Sequence, residues 1–158
     1  MRRLAPTVTT VLLLVLPLLA AGLVASPASA ETTRAERVTE ARKVALRQVG
    51  DRYRYGAEGP NRFDCSGLVY FSTHRAGFSR VPRTSSQQAR YMKRITRAHM
   101  KPGDFVFFRN SGGVYHVGIY LGRRDGRRTI VHAPSTGKRV QRDPIWTDRW
   151  FPGTLRRR

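Results

Sequence analysis

Acidic residues are scarce. Ten Asp and Glu stand against 30 Lys and Arg in 158 residues, a formal net charge of +20. Unpaired arginine is almost never buried, so that excess belongs on the surface. A single cysteine, Cys65, excludes an internal disulfide framework. Glycine (14) and proline (9) are modest and hydrophobic residues reach 40%, which argues against disordered, collagen-like and low-complexity classes. No internal repeat and no long linker interrupts the chain, and its length allows one ordinary domain. A membrane-spanning run is also lacking. The longest apolar stretch, Val11 to Val24, contains Pro17 and falls short of the roughly twenty residues a helix needs to cross a bilayer.

That stretch has the form of an export signal. Arg2 and Arg3 precede it, and Ala28-Ser29-Ala30 follows with the small-x-small pattern of a cleavage site. We read residues 1–30 as a signal peptide and 31–158 as the working domain. Without Arg2 and Arg3 the remainder still carries +18. Outside the cytoplasm thiols tend to be paired or oxidised. An unpaired Cys65 is therefore an intermolecular crosslink, a reactive thiol or a small buried hydrophobe.

Apolar spacing predicts a helix from a Thr33 cap to about Val49, closed by Gly50. Residues 51–64 read as a loop. A second helix opens at Asp64 or Ser66 and ends near Gly77, and a short third one covers Ser85 to Met92. Beyond the turn Lys101-Pro102-Gly103-Asp104 the pattern changes to strands: Phe105–Phe108, His116–Leu121, Thr129–Ala133, Arg139–Arg142 and Phe151–Leu155. Helices first and strands second imply an α+β fold with an antiparallel sheet.

Cys65 falls where a loop meets a helix, and free N–H groups at that end should draw its pKa toward a usable thiolate. Gly67 removes a side chain near the sulfur and would leave room for a substrate backbone. Such a nucleophile needs an imidazole partner. His74 falls on the far side of the Cys65 helix and His99 beside a turn, and both read as surface residues. His116 begins a strand on which Val117, Ile119 and Leu121 share one face and His116 and Gly118 the other. A hairpin turn centred on Arg124 would set His116 opposite His132, with Cβ atoms roughly 5 Å apart. That suits a base and the group that orients it. A one-residue slip would turn His132 away. The same pair with Cys65 could also begin a zinc site.

Five strings together resemble the NlpC/P60 family of cysteine peptidases: Asp64-Cys65-Ser66-Gly67-Leu68-Val69, Val81-Pro82-Arg83-Thr84-Ser85, Lys101 to Phe108, His116-Val117-Gly118-Ile119-Tyr120 and Val131-His132-Ala133-Pro134. The resemblance runs from about Val38 to the C-terminus. It implies a papain-like α+β fold, with the nucleophile at a helix start packed on an antiparallel sheet. It also implies hydrolysis of peptidoglycan stem peptides, typically between D-glutamate and the following diamino acid. By the same resemblance Cys65 is the nucleophile, His116 the base and acid, and His132 the third polar residue. Tyr53 would sit near the oxyanion, and Asp64 and Ser66 would line the cleft. The family usually reads Gly-Gly after its aromatic pair, where this chain has Gly56-Ala57. The extra methyl could narrow the cleft or strain the loop if positive φ is required there.

The expectation is thus a secreted, wall-associated, monomeric enzyme with no cofactor, no metal and no stable membrane anchor. Its partners would be stem peptides and, by charge, anionic wall polymers. A nucleic-acid partner is disfavoured by the export signal, by the lack of a recognisable nucleic-acid motif and by the scatter of the arginines. The alternatives are an amidase or acyltransferase of the same fold and a non-catalytic wall-binding protein.

Overall fold

The structure, a computed structural model, describes residues 27–156, so most of the expected signal segment lies outside it. Helix α1 (Pro27–Arg47) is followed by the two-residue strands β1 (Arg52–Tyr53) and β2 (Arg62–Phe63). Helices α2 (Cys65–Arg75) and α3 (Ser85–Tyr91) come next. Strands β3 (Lys93–Arg94), β4 (Phe105–Asn110), β5 (Gly113–Arg124), β6 (Arg127–His132), β7 (Gln141–Pro144) and β8 (Trp150–Thr154) complete the chain. The last six form one antiparallel sheet in the order β3-β8-β4-β5-β6-β7. The α+β expectation holds. Several boundaries move: Thr33 is inside α1 rather than at its cap, β1 and β2 lie in the stretch read as a loop, β5 is longer at both ends, and β7 starts two residues later than expected.

Alternation along β4 and β5 divides the core. Phe105, Phe107, Val117 and Ile119 face the helices, where they meet Val38, Ala41 and Ala45 of α1 and Leu68 and Val69 of α2. Val106, Phe108, Tyr120 and Ile130 form a smaller cluster on the other face with Trp150. All four residues Phe105 to Phe108 are fully buried, as a strand in mid-sheet with both faces covered requires.

The β5–β6 hairpin decides which side chains meet. Its turn is Asp125-Gly126, both with positive φ (50° and 73°), so the centre is not Arg124. Arg124 pairs with Arg127 and Arg123 with Arg128. Continued unchanged, that register would set His132 opposite Ile119, on the face away from His116. A register shift between Tyr120 and Gly122 inserts Leu121 as an extra residue in β5. Beyond it Tyr120 pairs with Ile130 and Ile119 with Val131, which brings His132 across from Gly118. A Cβ on Gly118 would stand 3.3 Å from that of His132. The two histidines are therefore diagonal neighbours on one face rather than directly opposed, and the bulge is what restores their common side.

Candidate active site

Helix α2 begins at Cys65 because Asp64 caps it. The Asp64 Oδ1 accepts the Gly67 N–H at 2.7 Å and the Ser66 hydroxyl at 3.1 Å, and its Oδ2 accepts the Gly56 N–H at 2.9 Å. Arg83 closes the other side, donating from Nη1 to Oδ1 at 3.0 Å and from Nη2 to Oδ2 at 2.8 Å. Burial would raise the Asp64 pKa, but the Arg83 guanidinium and the two backbone N–H groups outweigh it and hold the carboxyl below its ordinary value. Arg83 also pairs with Glu58 at 2.8 Å and donates to the Ala57 carbonyl at 3.1 Å. From α3, the fully buried Gln88 donates to the Ser66 carbonyl at 2.9 Å. The start of α2 is thereby fixed from three directions.

Asp64 and Ser66 are consequently part of the frame, and neither lines the cleft as the resemblance implied. The role expected of Gly67 changes too. A Cβ there would collide with the Ala57 carbonyl oxygen, so the missing side chain makes room for the chain itself and not for substrate. Ala57 lies outside the cavity lining and has no positive φ, while Gly56, with φ +76°, does. The loop therefore accepts alanine at 57 without strain.

Cys65, His116, His132 and Tyr53 line one cavity of about 510 Å³. The Val117 N–H, next in sequence to His116, points at the Cys65 sulfur. Tyr53 is half-buried there, whereas Tyr55 is 86% exposed and lines a different concavity. Burial, helped by the nearby Cys65 and Asp64, raises the Tyr53 pKa, so its hydroxyl remains a proton donor. His74 bonds to the carbonyls of Tyr70 and Ser79, and His99 to Thr96; neither reaches the cavity.

The imidazoles form a chain that ends on an acid. His116 Nε2 lies 2.8 Å from His132 Nδ1, and His132 Nε2 lies 2.9 Å from Asp143 Oδ2. Asp143 can only accept, because its bonds from His132 and Gln141 outweigh burial and keep its pKa low. Protonation follows by bookkeeping of donors. His132 carries its hydrogen on Nε2 and accepts at Nδ1. His116 then carries its hydrogen on Nε2, and its Nδ1 lone pair is free to act as a base. Burial first, then the neighbouring His132, pushes the His116 pKa down to about 3. Burial likewise lowers that of His132 against the pull of Asp143.

Cys65 departs from expectation. Burial, with a contribution from the Asp64 carboxylate, raises its pKa despite the N–H groups of Val117, Ser66 and Cys65 itself. The resting pair is thus thiol and neutral imidazole, and the positive helix end does not overcome desolvation. Such a pair can transfer its proton as the sulfur attacks, without a standing ion pair.

Asp143 was not anticipated as a site residue, because the expected strand stopped at Arg142. Arg139 and Val140 are instead taken up by the β1 loop, through an Arg52–Arg139 bridge and the Val140 N–H to the Asp51 carbonyl at 2.8 Å. The later β7 pairs Ile130 with Asp143, diagonal to His132. Its rarity was the available signal: few acids exist in this chain, and one follows a histidine strand. Trp146 was also missed. It stacks on Phe108 at 4.2 Å and stands 5.8 Å and 5.4 Å from the rings of His116 and His132. Among the described residues no group of three or more His, Cys, Asp or Glu is arranged to hold a metal ion. No helix among them is long and apolar enough to cross a membrane.

The family model for the NlpC/P60 family matches residues 50–158. The chain belongs to the NlpC/P60 family. It is 39% identical over 106 residues to the probable endopeptidase p60 of Listeria monocytogenes, covering 67% of this chain and 20% of that protein. It is 37% identical over 123 residues to the murein DD-endopeptidase MepH of Escherichia coli, covering 72% and 44% respectively. The chain thus spans less than half the length of either relative. The solved structure of the peptidoglycan hydrolase RipB from Mycobacterium tuberculosis superposes with a TM-score of 0.67 at 25% identity, covering 84% of this chain and 73% of that one. The NlpC/P60 fold, papain-like and α+β, is the fold of this protein.

Proposed function

We propose that this protein is an exported cysteine endopeptidase that cuts stem peptides of bacterial peptidoglycan. The observation that carries the reading is the ordered chain Asp143–His132–His116 ending in the cavity that Cys65 also lines. In this mechanism His116 Nδ1 takes the thiol proton while the sulfur bonds to the scissile carbonyl carbon. The Tyr53 hydroxyl and the Cys65 N–H hold the resulting oxyanion. His132, itself anchored on Asp143, stabilises the imidazolium that His116 becomes. The imidazolium then gives its proton to the departing amine as the C–N bond breaks, leaving a thioester. Water, deprotonated by His116, attacks that thioester and releases the acid and the thiol.

The preferred bond is that between D-glutamate and the diamino acid. Export is read from the N-terminal segment, and the net charge of +18 that remains without it supports residence on an anionic wall. Purified protein incubated with purified peptidoglycan, with mass analysis of the products, tests the proposal. Fragments ending in D-glutamate are expected. Cleavage between two D-residues of a crosslink, or at the sugar–peptide junction, would reassign the bond. Unchanged cleavage by Cys65→Ala would overturn the thiol mechanism, and no cleavage by the intact protein would overturn the enzymatic reading.

A further inference from the structure

A second concavity, of about 700 Å³, lies at the β3–β8 edge of the sheet, between the early part of α1, the α2–α3 connection and the end of α3. It shares no lining residue with the Cys65 cavity, whose histidines are on β5 and β6. Arg34, Arg37, Arg80, Arg90 and Lys93 line it, and no carboxylate does. None of these five forms an ion pair among the described residues. An arginine-rich composition does not by itself produce this. Where Arg97, Arg123, Arg127 and Arg128 gather, Asp148 joins them, and Glu58 lies beside Arg54 and Arg62.

Two of the guanidiniums are held in place without being neutralised. Arg37 donates from Nε to the Ala76 carbonyl at 3.1 Å and lies 4.2 Å from the centre of the Phe78 ring. Arg34 donates from Nε to the Leu155 carbonyl at 2.9 Å and lies 5.5 Å from the same ring. Each bond uses one N–H and leaves the paired Nη groups, which fit two oxygens of one anion. Holding these side chains in advance reduces the ordering cost of binding. Five uncompensated charges around one concave surface also repel one another and focus a positive potential, which an anion would relieve.

We propose that this cavity binds a polymer of repeating phosphodiesters and so docks the protein on its wall away from the active site. The wall as the source of that polymer rests on the proposed function; the binding itself does not. The cavity is far larger than one inorganic ion, and its charges are spread over four segments of chain, which suits a repeating anion. A nucleic acid fits less well. Single-strand binding relies on successive stacking platforms, and here Tyr91 is the exposed aromatic, with Phe78 buried beneath the arginines.

The test is equilibrium binding of the purified protein to soluble poly(glycerol phosphate), with polyglutamate and a single-stranded oligothymidylate as comparison probes. Two charge-matched triple variants are compared: Arg80→Gln/Arg90→Gln/Lys93→Gln at the cavity, and Arg123→Gln/Arg124→Gln/Arg127→Gln at the β5–β6 hairpin. The cavity triple should weaken poly(glycerol phosphate) binding by about tenfold or more and flatten its salt dependence, and the hairpin triple by less than about threefold. Both should cleave a soluble stem peptide like the parent. Equal weakening by the two triples would show a diffuse field and overturn the site. Tighter binding of polyglutamate or the oligonucleotide, with the same dependence on the cavity, would overturn the phosphodiester assignment. Polymer binding as expected without any peptide cleavage would overturn the enzymatic reading alone.

Discussion

Replacing Asp143 by asparagine keeps its shape and removes its charge. The carboxylate accepts from His132 at 2.9 Å and from Gln141 at 2.6 Å, both on Oδ2. A hydrogen bond to a charged partner contributes about 1.5–3 kcal/mol. The Asp143 side chain is 35% exposed, so solvent screening favours the lower part of that range, about 1.5–2 kcal/mol. That loss falls on the transition state, in which His116 is cationic, and corresponds to a fall in kcat of about 10- to 30-fold. The Gln141 donor should steer the asparagine oxygen into the Oδ2 place and so preserve the histidine tautomers. Adding Gln141→Met removes this guide. The asparagine amide can then donate to His132 and invert both rings, placing a hydrogen on His116 Nδ1. The double variant should therefore lose about a further tenfold. Because Cys65 is the only thiol in the chain, its alkylation rate reports the same base without any substrate. Both assays should fall together at unchanged secondary structure. A kcat and an alkylation rate within twofold of the parent from pH 6 to 8 would refute the proton chain.

Three further outcomes follow from the same geometry. His116 has an ordinary pKa of 6.5 and a native one of about 3, so below 6.5 the unfolded chain binds a proton that the native one excludes. Stability is then full above 6.5 and falls with acid, by about 2 kcal/mol at pH 5, with His132 adding in the same direction. Urea midpoints measured at pH 7 and 5 check this, and a flat profile would contradict it. Gly67→Ala drives a methyl into the Ala57 carbonyl, which the Asp64 N–H (2.9 Å) and Arg83 hold in place. It should cost about 2–3 kcal/mol and lower the activity, read by thermal melting and turnover. Arg83→Met leaves the buried Asp64 carboxylate without its guanidinium. Removing one partner of a fully buried pair costs about 3–5 kcal/mol, and with the Arg83 side chain 26% exposed, about 2 kcal/mol is expected by chemical denaturation.

What the chain order alone determined is the part governed by local chemistry. The Asp64 cap, the Cys65 helix start and the Thr84 cap of α3, with its reciprocal Gln87 bond, depend on residues three or four apart. The alternation Val117/Ile119 against His116/Gly118 is equally local, since a strand turns each successive side chain over. The family resemblance picks out Cys65, His116 and His132 from such short strings, and the structure brings them to one cavity together with Tyr53. The resemblance could not see that Asp64 and Ser66 are occupied by Arg83, nineteen and seventeen positions away.

Tertiary structure decided everything that depends on register and burial. The position of the turn at Asp125-Gly126 would by itself have separated the histidines, and one extra residue at Leu121 returned them to the same side. Where β7 begins settled whether Asp143 reaches His132. The protonation of Cys65 was decided in the same way: the helix end favours a thiolate, but the packing around the sulfur removes water and reverses the balance. Local pattern fixes which way a side chain points along its own element. Only long-range packing fixes what it meets there and how much water remains.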